Sequence, residues 1–360
     1  MQRRSGGRAL PAWGMRLGCQ VLPWLQPDRF PLYLAPMAGV TDLTFRTLCK
    51  ELGADVMVTE FVSAEGILQR DDRTRHYTEF EEAQRPLGVQ LFGADGRRMG
   101  EAARKILDWK QPDFIDINFG CPVNKVVSKN GGSSLLRNCP LLEEVAREIV
   151  RAVPVPVTAK MRIGWDSANI NAVDVARRLE DCGIQAIAVH GRTRAQGYSG
   201  QADWEVIGRV AEAVRVPVIG NGDIAGGADV EVRRAQTGVA GVMIGRAAMA
   251  NPWVFQEVKH YLATGAQPSP ATAEQRFDLM RRHCLMAIAR STRGEFEVMR
   301  AMRNRLMHYT RSLRGGKFLR ARFSQIGSVM ELDDVLAAYL AHRDELLEAT
   351  EAGEPDGLPA

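Results

Sequence analysis

From residue 30 onward, short apolar runs rich in β-branched residues alternate with longer segments of helical periodicity. The runs fall at residues 32–35, 56–59, 87–91, 114–117, 157–161, 186–190, 216–220 and 241–244. Helical segments at 43–52, 99–108, 140–152, 170–182, 204–213 and 229–237 lie among them. Eight strand–helix units in succession predict an α/β fold, a closed (β/α)8 TIM barrel rather than an open doubly wound sheet. After Asn251 the rhythm changes. Residues 265–270 read as a linker by composition, and 272–339 carries helical periodicity with no strand run. The expected organisation is therefore a poorly ordered Gly-, Pro- and Arg-rich extension at 1–28 and a barrel domain at 29–264. A smaller all-helical domain at 271–345 and an acidic, disordered tail at 346–360 follow.

At 100° per residue, Met299, Met302, Leu306, Tyr309 and Leu313 form one stripe, while Arg300, Arg303, Arg311 and Arg314 form a second. The first is a core face. The second is either a solvated face or a line of guanidinium groups for a polyanion. Charge favours the polyanion, because residues 276–322 carry thirteen Lys or Arg against three acids in a chain whose net charge is only +4.

Other classes drop out on composition. No apolar run is long enough to span a bilayer, and the first twenty residues lack the apolar stretch of a secretory signal. The six cysteines contain no C-x-x-C pair, which argues against a disulfide framework or structural zinc and fits a reducing cytoplasm. A cytoplasmic monomer, with no metal and no membrane partner, is expected.

Polar residues and glycines gather where the apolar runs end: 35–39, 59–60, Gln90, 118–121, 160–162, 190–193, 220–223 and 245–246. In a barrel these ends form one face, the usual place of chemistry. The turns Asn221-Gly222-Asp223 and Gly245-Arg246 follow runs seven and eight, where barrels often hold a phosphate, here read as that of a flavin. The match of residues 220–225 to G-x-G-x-x-A is discounted, since a dinucleotide fold places that fingerprint in its first βα turn. Lys160 is suited to neutralising a reduced flavin ring or a substrate carbonyl oxygen, against the plainer reading of a solvated lysine. His190 is either structural or a cofactor ligand. Gln90 and Asn118 offer paired donors and acceptors to a flat heterocycle. Asp116 and Asn118 share one side of their strand, and Gly120-Cys121-Pro122 stops it. A thiol is mostly protonated near neutral pH, so Cys121 can act as an acid; no second ligand at metal spacing accompanies it.

These segments also carry a resemblance. Residues 34–42 (LAPMAGVTD), 116–122 (DINFGCP), 160–164 (KMRIG), 190–196 (HGRTRAQ) and 221–224 (NGDI), with 244–248 (IGRAA) and 251–253 (NPW), resemble the flavin-dependent tRNA-dihydrouridine synthases. Within these they look most like the bacterial, nitrogen-regulation-like branch. The resemblance implies FMN as cofactor, NADPH as reductant and tRNA as partner. It implies that the backbone of Pro36, Met37 and Ala38 lines the flavin, that Gln90 and Lys160 contact its ring, and that His190 touches it. Asn221, Gly222, Asp223, Gly245 and Arg246 would hold the ribityl-phosphate side. Cys121 matches the proton donor to C5 of a uracil that receives hydride at C6, with Asn118 and Arg162 contacting that base. A mobile loop at 126–134 would cover the substrate, and the basic stripe would grip the tRNA. Cys139 departs from the family's usual Asp before Pro, as does the N-terminal extension. Two rivals remain: a dihydroorotate-dehydrogenase-like FMN barrel acting on a free pyrimidine, and an RNA-binding protein whose barrel has lost catalysis.

Overall fold

The computed structural model describes residues 22–26, 28–69, 74–122, 131–311 and 313–342. The tail at 346–360, residues 1–21 and 27 of the extension, and residues 126–130 of the expected covering loop lie outside the described residues.

Nine strands form one parallel sheet: β1 Leu32–Leu34, β2 Met57–Val58, β3 Val62–Ser63, β4 Leu87–Phe92, β5 Phe114–Phe119, β6 Val157–Arg162, β7 Ala186–His190, β8 Val218–Asn221 and β9 Gly241–Ile244. Their order is β1-β9-β8-β7-β6-β5-β4-β2, with β3 also on β4. A Tyr33–Val56 bridge and the bond from Leu34 N–H to Val56 O at 3.0 Å close the ring between β1 and β2. β2 and β3 are two pieces of one interrupted stave, so nine strands make the eight-fold barrel that the periodicity predicts.

The outer helices follow from the same sequence logic. In Gly96–Lys110 the Asp95 carboxylate accepts from Arg98 N–H at 3.0 Å and caps the first turn. Met99, Ala102, Ala103 and Ile106 then bury one face at i, i+3, i+4, i+7 spacing. Each large apolar side chain buried this way contributes roughly 1.5–3 kcal/mol. Where the Phe114 ring needs room, Gly88 supplies it: a Cβ there would lie 2.1 Å from that ring.

The barrel interior is filled by Tyr33, Ala35, Val56, Val58, Phe114, Ala186, Ala188, Ile219 and Met243. Leu22 and Leu25 join this cluster, Trp24 donates its indole N–H to Tyr33 OH at 2.9 Å, and its ring lies 5.1 Å from that of Phe114. Within the extension expected at 1–28, residues 22–25 are largely apolar and stopper the end of the barrel where the strands begin.

Four helices, Ala273–Ala289, Glu295–Tyr309, Gly316–Phe323 and Val329–Ala341, make up the C-terminal region. Met299, Met302, Leu306, Tyr309 and Leu313 are buried, as the apolar stripe predicts, and Val298 is buried beside them. The arginine stripe is not one line. The helix ends at Tyr309, where Thr310 caps it and donates its hydroxyl to Met307 O at 2.8 Å, so Arg311 and Arg314 sit beyond the helix. Arg303 donates to Ile326 O at 2.8 Å and to Gln325 O at 2.9 Å, fastening a neighbouring turn. Arg282–Glu51, Arg290–Glu81 and Arg305–Asp42 pairs, at 2.6, 2.5 and 3.0 Å, fix these helices to the barrel. No helix among the described residues is long and apolar enough to cross a membrane.

Candidate active site

The strand register assembles the mouth. It sets Gln90 beside Asp116, Asn118 beside Lys160, Arg162 beside His190, and His190 beside Asn221. Parallel neighbours in register share a face, so side chains scattered over 130 residues of sequence converge at one end of the ring.

One buried chain of hydrogen bonds runs through the wall. Asp116 accepts from Thr158 Oγ1 at 2.5 Å and from Gln90 Nε2 at 2.6 Å. Gln90 Oε1 accepts from Asn118 Nδ2 at 2.8 Å. Asn118 Oδ1 accepts from Gly120 N–H at 3.0 Å and from Cys121 N–H at 2.8 Å. The Asp116 carboxylate thus dictates which way the Gln90 amide faces, and Gln90 dictates the same for Asn118. The turn bearing Cys121 is held as a result. Burial raises the Asp116 pKa, opposed by its bonds from Thr158 and Gln90. Cys121 is 5% exposed, and its carbonyl accepts from the Ser133 hydroxyl at 2.8 Å.

Lys160 is the group left over. Among the described residues nothing accepts a hydrogen bond from its ammonium. Burial first, then the Arg162 charge, lowers its pKa to about 8 against the pull of Asp116 and Cys121. Two cations in a buried mouth call for an anionic or carbonyl oxygen to complete them. Arg162 itself donates Nε to Gly120 O at 3.0 Å and one Nη to Thr193 O and Gly197 O, both at 2.8 Å. The base contact expected of it is therefore confined to the other Nη. Burial, then the charges of Lys160, Arg162, Arg192 and Arg246, lowers His190 to about 2, so its imidazole is neutral at working pH.

On the side of β8 and β9, Gly222 has φ +128°, and a Cβ there would lie 2.5 Å from Ala202. The adjacent glycine of the discounted fingerprint, Gly220, makes room for the Trp204 ring, at 2.3 Å from a would-be Cβ. Asn221 donates to Met243 O at 2.7 Å. Asp223 accepts from Arg246 at 2.9 Å, Arg192 at 2.9 Å and Ala202 N–H at 2.7 Å. Burial pushes that carboxyl up, but these bonds and charges outweigh it and leave the pKa low. Asp223 therefore aims Arg246 instead of meeting an anion itself. Pro36 and Met37 are half-buried and Ala38 is exposed on the loop after β1, with Met37 N–H bonded to Thr41 Oγ1 at 3.0 Å. Gly245 faces the same loop, its would-be Cβ 3.4 Å from Ala35 and 3.5 Å from Met37 Sδ.

Three participants were not singled out from sequence. Thr158 begins the hydrogen-bond chain, and Arg192, 2% exposed, braces Asp223. Tyr198, 55% exposed, lies 5.7 Å from the Arg162 guanidinium and 5.2 Å from that of Arg246. An aromatic in the loop after His190 was the available signal. Of the arginines expected to bind RNA, Arg300, Arg311 and Arg314 are exposed, while Arg303 is partly buried. Among the described residues no cluster of His, Cys, Asp or Glu could hold a metal ion.

The chain is similar to known proteins. The chain is 41% identical over 324 residues to tRNA-dihydrouridine synthase B of Pseudomonas putida, covering 90% of this chain and 95% of that one. It is 45% identical over 252 residues to tRNA-dihydrouridine synthase B of Xanthomonas campestris, covering 69% and 74%. The structure of histamine dehydrogenase from a Rhizobium species superposes with a TM-score of 0.51 at 15% identity, over 71% of this chain and 49% of that one, a likeness of fold alone. The dihydrouridine synthase (Dus) family model matches residues 33–343, and the chain belongs to that family.

Proposed function

We propose that this protein is a tRNA-dihydrouridine synthase, reducing the C5–C6 double bond of a uridine in tRNA with FMN as its flavin and NADPH as reductant. The observation that carries the reading is a single mouth uniting the Lys160 ammonium, which has no hydrogen-bond acceptor among the described residues, with a thiol turn held by Asn118. The residues fit a flavin. Pro36, Met37 and Ala38 offer backbone, and Lys160 offers charge to an electron-rich ring edge. Gln90 keeps one Nε2 hydrogen, His190 is a neutral partner, and Arg246 with the glycine turns at Asn221-Gly222-Asp223 and Gly245 suits a phosphate. Reduced FMN, when bound, supplies the hydride that C6 of the base receives.

The chain's own groups do the rest. Asn118 has one Nδ2 hydrogen free, and Arg162 one Nη, to orient the uracil edges. As charge builds across C5 and O4, Cys121 Sγ–H delivers a proton to C5. A uridine in folded tRNA has to leave its stack to enter such a mouth, which calls for a basic surface gripping the backbone. Arg300 and Arg311, both exposed, would serve that task, with Arg314 beyond the same helix.

Cys121→Ala tests the assignment. The variant should keep its flavin absorbance and unfolding midpoint but form no dihydrouridine in tRNA, read by nucleoside mass spectrometry. Undiminished product would remove Cys121 from the chemistry.

A further inference from the structure

We infer that the barrel rim beside the mouth is a second docking surface for the sugar-phosphate backbone of the RNA, built from Arg137 on Trp165 and from Arg177 and Arg209 on the adjoining cleft. The inference rests on the reading above that the substrate is tRNA.

Two guanidinium groups lie over Trp165, Arg137 at 3.9 Å and Arg194 at 4.7 Å from its ring centroid. Stacking on an aromatic face holds a guanidinium flat and leaves its N–H edge for a phosphate. Arg137 is exposed and has no carboxylate partner among the described residues. The same holds for Arg177 and Arg209. These two flank a surface cleft of about 410 Å³ between the helices Ala172–Asp181 and Trp204–Ala213. Asp174 also lines the cleft, but Arg178 neutralises it at 2.8 Å. Elsewhere on the barrel exterior, Arg85, Arg147, Arg151 and Arg178 are each paired with a carboxylate. Three exposed arginines without carboxylate partners among the described residues, one on Trp165 and two on the adjoining cleft, are together complementary to a polyanion.

The surface is continuous with the site. Trp165 follows Arg162 by three residues, and its carbonyl accepts from Ala195 N–H at 2.9 Å, in the loop that Arg162 also grips. Arg137 ends the turn Gly132–Arg137, whose Ser133 holds the Cys121 carbonyl. Asn171, on the cleft wall, donates to Leu136 O at 2.8 Å. Arg137 and Trp165 thus stand on the loops that carry the thiol and the base contacts, and a backbone delivering a base to the mouth meets them at its edge.

The test is equilibrium binding of tRNA across a salt series, with the Arg137→Gln, Arg177→Gln, Arg209→Gln triple variant against wild type. Losing phosphate contacts should weaken affinity at least ten-fold at low salt and reduce the slope of log Kd against log salt by about one per arginine. Trp165→Leu should lose about one unit of slope as Arg137 loses its support, and Trp165→Phe should restore it. Unfolding midpoints check that each variant is folded. A triple variant with wild-type affinity and slope that still makes dihydrouridine overturns the docking surface and leaves the functional reading standing. A wild-type protein that binds tRNA without making dihydrouridine strikes the functional reading instead, while the slopes still decide the surface. An acidic protein as the true partner of this rim would appear as an unchanged tRNA slope, and would also overturn the inference.

Discussion

Asn118 has three of its four hydrogen-bonding positions occupied by the fold, two at Oδ1 and one at Nδ2. The sequence pattern showed that Asp116 and Asn118 share a face and need partners, but not that Gln90 links them. That link depends on register between β4 and β5, which the chain does not display locally. Gln90, expected to contact the flavin ring, is wholly buried, and its Oε1 orients Asn118. Thr158→Val tests the chain. Removing one donor from a buried carboxylate should cost about 2 kcal/mol in urea unfolding. A loss below about 0.5 kcal/mol would show that the Thr158 bond does not hold the chain in place. His283 offers a second test. Its Nδ1 meets Tyr309 OH at 2.8 Å, and its ring lies 6.0 Å from that of Phe45. Burial lowers its pKa to about 3, with Asp42 opposing and Arg305 and Arg290 adding to the shift. Below the ordinary value of 6.5 the unfolded chain takes up a proton that the folded one refuses. Stability is therefore expected to fall by roughly 1.4 kcal/mol per pH unit from this group as pH drops from 6.5 toward 3. His190 contributes in the same direction. His283→Gln should flatten the acid limb of a stability–pH curve, and an unaltered limb would show that His283 is not its source.

Among elements, the barrel was legible because eight units repeat one pattern, and repetition survives errors at individual boundaries. The strand expected at 216–220 is observed at Val218–Asn221, and the second stave is broken in two, yet neither alters the count. The stopper at residues 22–25 was not legible. Its contacts are with strands that close only after the whole ring has formed, and four residues show no period. Trp24→Ala should lower stability by about 2 kcal/mol, less than a fully buried Trp because this ring is only partly enclosed. Calorimetry on the full chain would measure it. Arg303, counted with the basic stripe, belongs to this scale as well. Arg303→Ala should lower the unfolding midpoint by releasing the turn at Gln325–Ile326, while changing the salt slope of tRNA binding less than Arg300→Ala does.

For the molecule as a whole, the excess of base over acid in residues 276–322 overstates the charge left for a partner. Arg281, Arg282, Arg290 and Arg305 pair with Asp333, Glu51, Glu81 and Asp42, all outside that stretch. The charge asymmetry read from sequence thus serves partly to bind the helices to the barrel, a use that only the tertiary contacts reveal. Among the described residues, Arg293, Arg300 and Arg311 are exposed without such partners. Arg300→Gln with Arg311→Gln should reduce the salt slope of tRNA binding by about two. An unchanged slope would leave the barrel as the main grip.

Arg162 carries one consequence for anyone redesigning this enzyme. By bonding Gly120, Thr193 and Gly197 it bolts the thiol turn to the segment after β7. Those two segments cannot be swapped one at a time between relatives. A chimera that imports one without the other inherits a guanidinium with nothing to hold, so specificity grafts have to travel as a matched set.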